Sequence, residues 1–126
     1  MRFRHLPVFF LVIPLAAGGW SCNDNNAAQK RYDKIASAYC ECMTPLAALN
    51  QKGPALLADT TRKNEQTAYF QQVQDEYNKA KECAGSIVGQ FGHLKPEELN
   101  AVEKTLSGRC PAMAGQRDLL QEMLGE

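Results

Sequence analysis

FQQVQDEYNKAKECAGSIVGQF, Phe70 to Phe91, is the stretch on which the fold turns. Phe70, Val73, Tyr77, Ala80, Ala84, Ile87 and Phe91 are separated alternately by three and four residues, and Gln71, Gln72, Gln74, Asp75, Asn78, Lys79 and Lys81 fill the other positions. Steps of three and four keep returning to one side of a 3.6-residue turn, so the pattern predicts an amphipathic helix from about Thr61 to Phe91. The seam is too short for a sustained coiled coil and calls for packing within a small bundle. Gly85 and Gly89 lower the helix propensity near its end and leave room for a neighbour to approach closely.

The same alternation runs upstream through Ala28, Tyr32, Ile35, Tyr39, Cys42, Leu46 and Leu49. Pro45 cannot donate to the preceding turn, which predicts either a kink there or a new short helix with Thr44 as its cap. Gly53-Pro54 reads as a breaker that ends the element, leaving Gly53 to Thr61 irregular, with exposed Leu56 and Leu57. Downstream, Gly92-His93-Leu94 reads as a turn before a helix with Pro96 at its first position and Glu97 and Glu98 against the positive end of its dipole. That helix carries Leu99, Val102, Leu106 and Cys110, and Leu94 is placed to staple onto Leu99. Pro111 then opens a last helix bearing Met113, Leu119, Leu120, Met123 and Leu124. With no strand pattern anywhere, residues 28–126 are expected to form an all-α, disulfide-braced bundle of three to five helices.

The amino end has a different character. MRFRH supplies positive charge, Leu6 to Ala17 is apolar but for two prolines, and Ala16, Ala17, Gly18 and Gly19 are small. This is the order of a secretory signal peptide, and the apolar run falls short of the roughly 20 residues a membrane span needs. Cleavage by a general signal peptidase after Gly18, Gly19 or Ser21 would release a soluble product. The segment Gly19-Trp20-Ser21-Cys22 instead resembles the lipobox of bacterial lipoproteins. Ser21 matches the small residue before the cysteine, whereas Trp20 and Gly19 depart from the usual pattern. The resemblance covers only the leader. It implies a signal peptide over 1–21, acyl chains such as palmitate on Cys22, a lipidated tether over 22–27 and attachment to a cell-envelope membrane without a spanning helix. Cysteine parity agrees, because acylating Cys22 leaves four of the five thiols, an even set, in an oxidising compartment.

Of those four, Cys40 and Cys42 point to different sides of a helix and are poorly placed to join each other, so each is expected to reach Cys83 or Cys110. Both such connectivities are open. Cys42 on the first seam and Cys83 beside Ala80, Ala84 and Ile87 favour Cys42 with Cys83 and Cys40 with Cys110. A simple hairpin turning at Gly53-Pro54 would, however, separate Cys42 from Cys83 by well over about 10 Å at 1.5 Å per residue. Zinc is disfavoured, since C-x-C plus two single cysteines lacks paired ligand elements, and C-x-x-C-H haem attachment is missing. A thiol-redox role lacks C-x-x-C.

Nothing in the chain reads as an active site or a cofactor site. His93 lacks the surroundings of a nucleophile or a G-x-S-x-G or H-E-x-x-H frame, and Glu97 and Glu98 are explained by their helix start. Fourteen basic residues balance fourteen acidic ones, which argues against a nucleic-acid partner. Asp59-Thr60-Thr61 resembles a short aspartate-threonine sequon for O-glycosylation at Thr60 and serves equally as an N-cap. The expectation is therefore a non-enzymatic, lipid-anchored envelope module that binds an envelope protein. An inhibitor or immunity protein against a secreted enzyme or toxin is the alternative, and a thiol-redox or metal-binding protein the third.

Overall fold

The computed structural model describes residues 21–126, with side chains from Asn26 onward. The expected leader therefore lies outside the described residues except for the backbone of Ser21, and so does the side chain of Cys22 with its acylation. Four α-helices follow one another: α1, Ser21–Ala58; α2, Lys63–Phe91; α3, Pro96–Arg109; and α4, Arg117–Leu124, with a 3-10 turn at Pro111–Met113 before the last. Among the described residues there is no strand, only one isolated bridge between Leu94 and Gly125. The fold is an all-α bundle braced by two disulfides. Among the described residues no helix is long and apolar enough to cross a membrane.

The largest departure from the sequence reading is α1, which runs for 38 residues through both Pro45 and Pro54. No new short helix begins at Pro45, and Thr44 caps nothing: its hydroxyl donates to the Cys40 carbonyl one turn back at 2.7 Å. Gly53-Pro54 does not break the chain either. Proline removes one helical donor, yet the helix continues past it, and beside it the side chain of Tyr69 on α2 donates to the Leu49 carbonyl at 3.1 Å. Gly53 makes that approach possible, because a Cβ there would overlap the Tyr69 hydroxyl. At its other end the helix already includes residues 21–27, ahead of Ala28, where no proline or glycine interrupts it.

The turn between the long helices thus falls at residues 59–62. Asp59 does not cap α2. Its carboxylate accepts from the Thr61 backbone N–H at 3.0 Å and from the Thr61 hydroxyl at 2.6 Å, while α2 starts at Lys63 with no side-chain cap. Gln66 closes the turn by donating to the carbonyls of Leu56 and Asp59 at 3.1 and 2.8 Å.

The core gathers Ile35, Tyr39 and Met43 from α1, Ala84 and Ile87 from α2, Leu99, Val102 and Leu106 from α3 and Leu120 and Leu124 from α4. Of the stripe expected on α1, Ile35, Tyr39, Cys42 and Leu46 are buried, Tyr32 and Leu49 are half-buried and Ala28 is exposed; the stripe on α3 is buried, as are Ala80, Ala84 and Ile87 on α2. Phe70 is the exception: it is 57% exposed, and Tyr69, one position earlier, is the buried residue. Successive helical residues lie 100° apart, so only one of the two can face α1 there. The expected last helix is split, because Gly115 takes φ +82° between Met113 and α4. Leu94 is buried with Leu99, and its N–H donates to the Leu124 carbonyl at 2.8 Å, tying the carboxyl end back to the α2–α3 turn.

Burial divides the molecule along its length. Between Leu46 and Ala80 only Gly53 and Tyr69 are buried. The outer halves of α1 and α2 therefore form a two-helix arm, and α3 and α4 cover only the inner halves, the body.

Candidate functional site

Cysteine geometry comes first, because it fixes how the helices are held. The structure bridges Cys40 to Cys110, with Cα atoms 5.9 Å apart, and Cys42 to Cys83, with Cα atoms 5.6 Å apart. From the same turn of α1, the two cysteines reach α2 and the end of α3. The separation problem posed by a turn at Gly53-Pro54 disappears once the turn lies at residues 59–62. Cys42 and Cys83 are then offset by only about four residues, or about 6 Å of helix rise. Cys42 and Cys110 are buried, Cys40 is half-buried and Cys83 is exposed. These bridges use every cysteine that follows Cys22, so none remains in the chain for Cys22 to pair with.

Around the α2–α3 turn, polar residues do structural work. Arg31 donates to the Phe91 carbonyl at 2.9 Å and to the Glu98 carboxylate, joining α1 to the end of α2 and the start of α3. Glu98 also accepts the Lys95 backbone N–H at 3.0 Å in a capping box. That bond, with the Arg31 guanidinium beside it, holds the Glu98 carboxyl below the usual carboxylate range. The exposed Glu97 takes no part. His93 is exposed, with Nδ1 2.8 Å from the Gly125 carbonyl, so the ring anchors the carboxyl terminus. Among the described residues no group of three or more His, Cys, Asp or Glu is arranged to hold a metal ion.

A groove of about 480 Å³ lies on one face of the arm, floored by Leu49, Ala55, Leu56, Ala68 and Tyr69 and edged by Lys52, Arg62 and Glu65. A second hollow of about 310 Å³ continues it toward the body, sharing Leu49, Lys52 and Gln72 and ending at Pro45 and Glu76. Arg62 pairs with Glu65, and Lys79 with Glu76 at 2.9 Å. Among the described residues Lys52 has no ion-pair partner, and it stands in the middle of the groove. Sequence reasoning missed this face. Its trace is the alternation of small residues Ala48, Ala55 and Ala68 with charges, where a helix with a third neighbour would carry large apolar residues.

At the end of the arm Thr60 is exposed in the turn, whereas the Thr61 hydroxyl is engaged by Asp59. The hydrogen bonds from Thr61 hold the Asp59 carboxyl below its ordinary range. Leu57 and Phe70 are exposed nearby at 45% and 57%, while Leu56 is half-buried in the groove. No family model matches this chain, and neither the curated proteins nor the solved structures provide a significant match.

Proposed function

We propose that this chain is a lipid-anchored protein of the bacterial cell envelope that catalyses no reaction and works as a binding or structural module. In this reading residues 1–21 are removed, Cys22 carries the acyl chains, residues 22–27 join it to the bundle, and the arm is the part offered to another envelope protein. One observation supports it above the rest: the four later cysteines are consumed pairwise by the two bridges, leaving Cys22 without a partner in the chain. In an oxidising compartment an unpaired exposed thiol is a liability, and acylation removes it while providing the anchor. The length of α1 suits the role. Thirty-eight residues at 1.5 Å each span about 57 Å, so the arm tip stands far from the acylated end. Thr60, at that tip, is the residue assigned to carry an O-linked glycan.

Intact mass spectrometry of membrane-extracted protein, with and without reduction, tests the reading. The expected species begins at Cys22, carries acyl mass and gains four hydrogens on reduction, two for each bridge. Peptide fragmentation reads any sugar increment at Thr60. Cys22→Ser is expected to move the protein from the membrane to the soluble fraction, and a variant that still sediments with membranes refutes the anchor.

A further inference from the structure

The two bridges leave the same turn of α1 but are not equally sheltered. Each has one buried end, Cys42 in one and Cys110 in the other. They differ at the opposite end, where Cys83 is exposed on α2 and Cys40 is half-buried. A thiolate opens a disulfide by attacking one sulfur and expelling the other, at a rate set by access to the sulfur attacked and by the ease with which the other departs. The departing end is buried in both bridges, so access decides between them, and it favours Cys83. The neighbours of Cys83 along its side of α2 offer little cover: Ser86, one turn on, is small and exposed, and the Lys79 side chain, one turn back, is 70% exposed and extends to Glu76.

What each bridge holds differs as well. Helix α3 places Leu99, Val102 and Leu106 in the core within 14 residues, whereas α2, with 29, contributes only Ala80, Ala84 and Ile87 to it. Apolar burial stabilises in proportion to area, and an alanine brings a single methyl, so α3 is seated by packing and α2 depends more on its covalent tie. That tie lies at the foot of the arm, just inside Leu46 on α1 and Ala80 on α2. Outward of it, α2 is kept in place by the hydrogen bonds of Gln66 and Tyr69 to α1 and the turn, and by one from Tyr77 to Glu122 at the surface. Inward of it, the buried Ile87 and the bond from Arg31 to the Phe91 carbonyl hold the end of the helix.

We propose that Cys42–Cys83 is a redox latch on the arm: a dithiol reductant opens it ahead of Cys40–Cys110, and opening frees the outer part of α2 while the body stays folded. The part freed includes Ala68, Tyr69 and Gln72, which form one wall of the groove. In the first step a thiolate of the dithiol bonds to the Cys83 sulfur as the Cys42–Cys83 bond breaks, and Cys42 takes the electron pair and a proton from solvent. In the second, the other thiolate of the reductant attacks its own partner sulfur in the mixed disulfide and expels Cys83, which is protonated in turn. Two electrons pass to the bridge, and the dithiol is oxidised to its disulfide. A disulfide donor reverses both steps and closes the latch. The inference stands on the two bridges and holds whether or not Cys22 is acylated; only its bearing on the groove as a binding surface rests on the function proposed above.

Graded dithiothreitol, acid quenching and isotope-coded alkylation, read by peptide mass spectrometry, follow each bridge. The measurement is made on the detergent-extracted wild-type chain and on the full chain carrying Cys22→Ser, which has no fifth thiol to join the exchange. In both, Cys42 and Cys83 are expected to become labelled at least about tenfold faster than Cys40 and Cys110. At a dithiothreitol concentration that opens this bridge alone, amide hydrogen exchange is expected to quicken at least about tenfold over residues 66–82 and to stay unchanged over residues 99–106. Earlier or simultaneous opening of Cys40–Cys110 overturns the proposal. So does release of Cys42–Cys83 with no change over residues 66–82, or with exchange rising equally over both segments. Loss of membrane attachment in the Cys22→Ser chain bears on the anchor and leaves this result untouched.

Discussion

At Tyr69 a single aromatic side chain holds the outer parts of two long helices together. Its ring lies over Gly53 and its hydroxyl reaches the Leu49 carbonyl, beside the point where Pro54 interrupts the α1 ladder. Gly53→Ala is expected to destabilise the arm by about 1–3 kcal/mol, because the new methyl displaces that ring; Tyr69→Phe costs only the hydrogen bond, about 1 kcal/mol. Urea unfolding of the two variants checks the ordering. Tyr39 presents the opposite situation. It is fully buried in the body and its hydroxyl has no hydrogen-bond partner among the described residues, so burial holds its pKa well above the ordinary tyrosine value. Tyr39→Phe is therefore expected to stabilise the protein by about 1–2 kcal/mol. The pH dependence has a definite sign. The unfolded chain ionises this phenol near pH 10 and the folded chain resists, so stability is full below that pH and falls above it, by up to about 1.4 kcal/mol per pH unit. Denaturation curves between pH 9 and 11 should show a shallower decline for Tyr39→Phe. The burial of Tyr39 was legible from its place on the α1 seam. That of Tyr69 was not, because periodicity pointed one residue along, to Phe70, and only the level at which α1 passes α2 decides between them.

Among the elements, α1 departs most from local rules and explains why the sequence was only partly readable. Gly-Pro is ordinarily a stop, and a window of a few residues around it contains nothing to contradict that. The contradiction comes from Tyr69, sixteen positions away, and so is invisible to any local pattern. The stripes on α1, α3 and the inner half of α2 were readable because each is covered by more than one neighbour, which forces the full apolar period. The two bridges fix those neighbours to one place on α1. Closing loops of 70 and 41 residues, each contributes about 4 kcal/mol in the chain-entropy account. Replacing either pair by serine is expected to lower the unfolding free energy by roughly that amount, read by chemical denaturation. The start of α3 adds an acid dependence. Glu98 is held ionised by the Lys95 N–H and by Arg31, so its contribution is present above the carboxylate pKa of the unfolded chain and is lost as pH falls through the lower folded value. In Glu98→Gln this acid-side loss should diminish, a difference that melting curves from pH 2 to 5 can resolve.

Considered whole, the molecule has a dense half and a sparse half. Backbone amides of the body are shielded by four helices and two covalent bridges, whereas those of the arm depend on one interhelical seam. Hydrogen exchange is expected to separate them, with residues 47–58 and 63–72 exchanging markedly faster than residues 35–43 and 99–106. Uniform protection across both sets would contradict the division. Replacing residues 48–70 by a short turn is expected to leave a folded body with both disulfides intact, since none of the residues removed belongs to the main core cluster.

One consequence of the uninterrupted α1 is mechanical. A pull between the two ends of this helix travels along one continuous helix, whose ladder lacks a single donor at each of two prolines, with no loop to absorb it. Midway along that line Cys40 and Cys42 rivet the strut to its neighbours, so force applied at the tip is shared with α2 and α3 through covalent bonds before it reaches the amino-terminal third. The protein is thus built as a stiff mast, stayed at mid-height, whose compliance is concentrated above the stays.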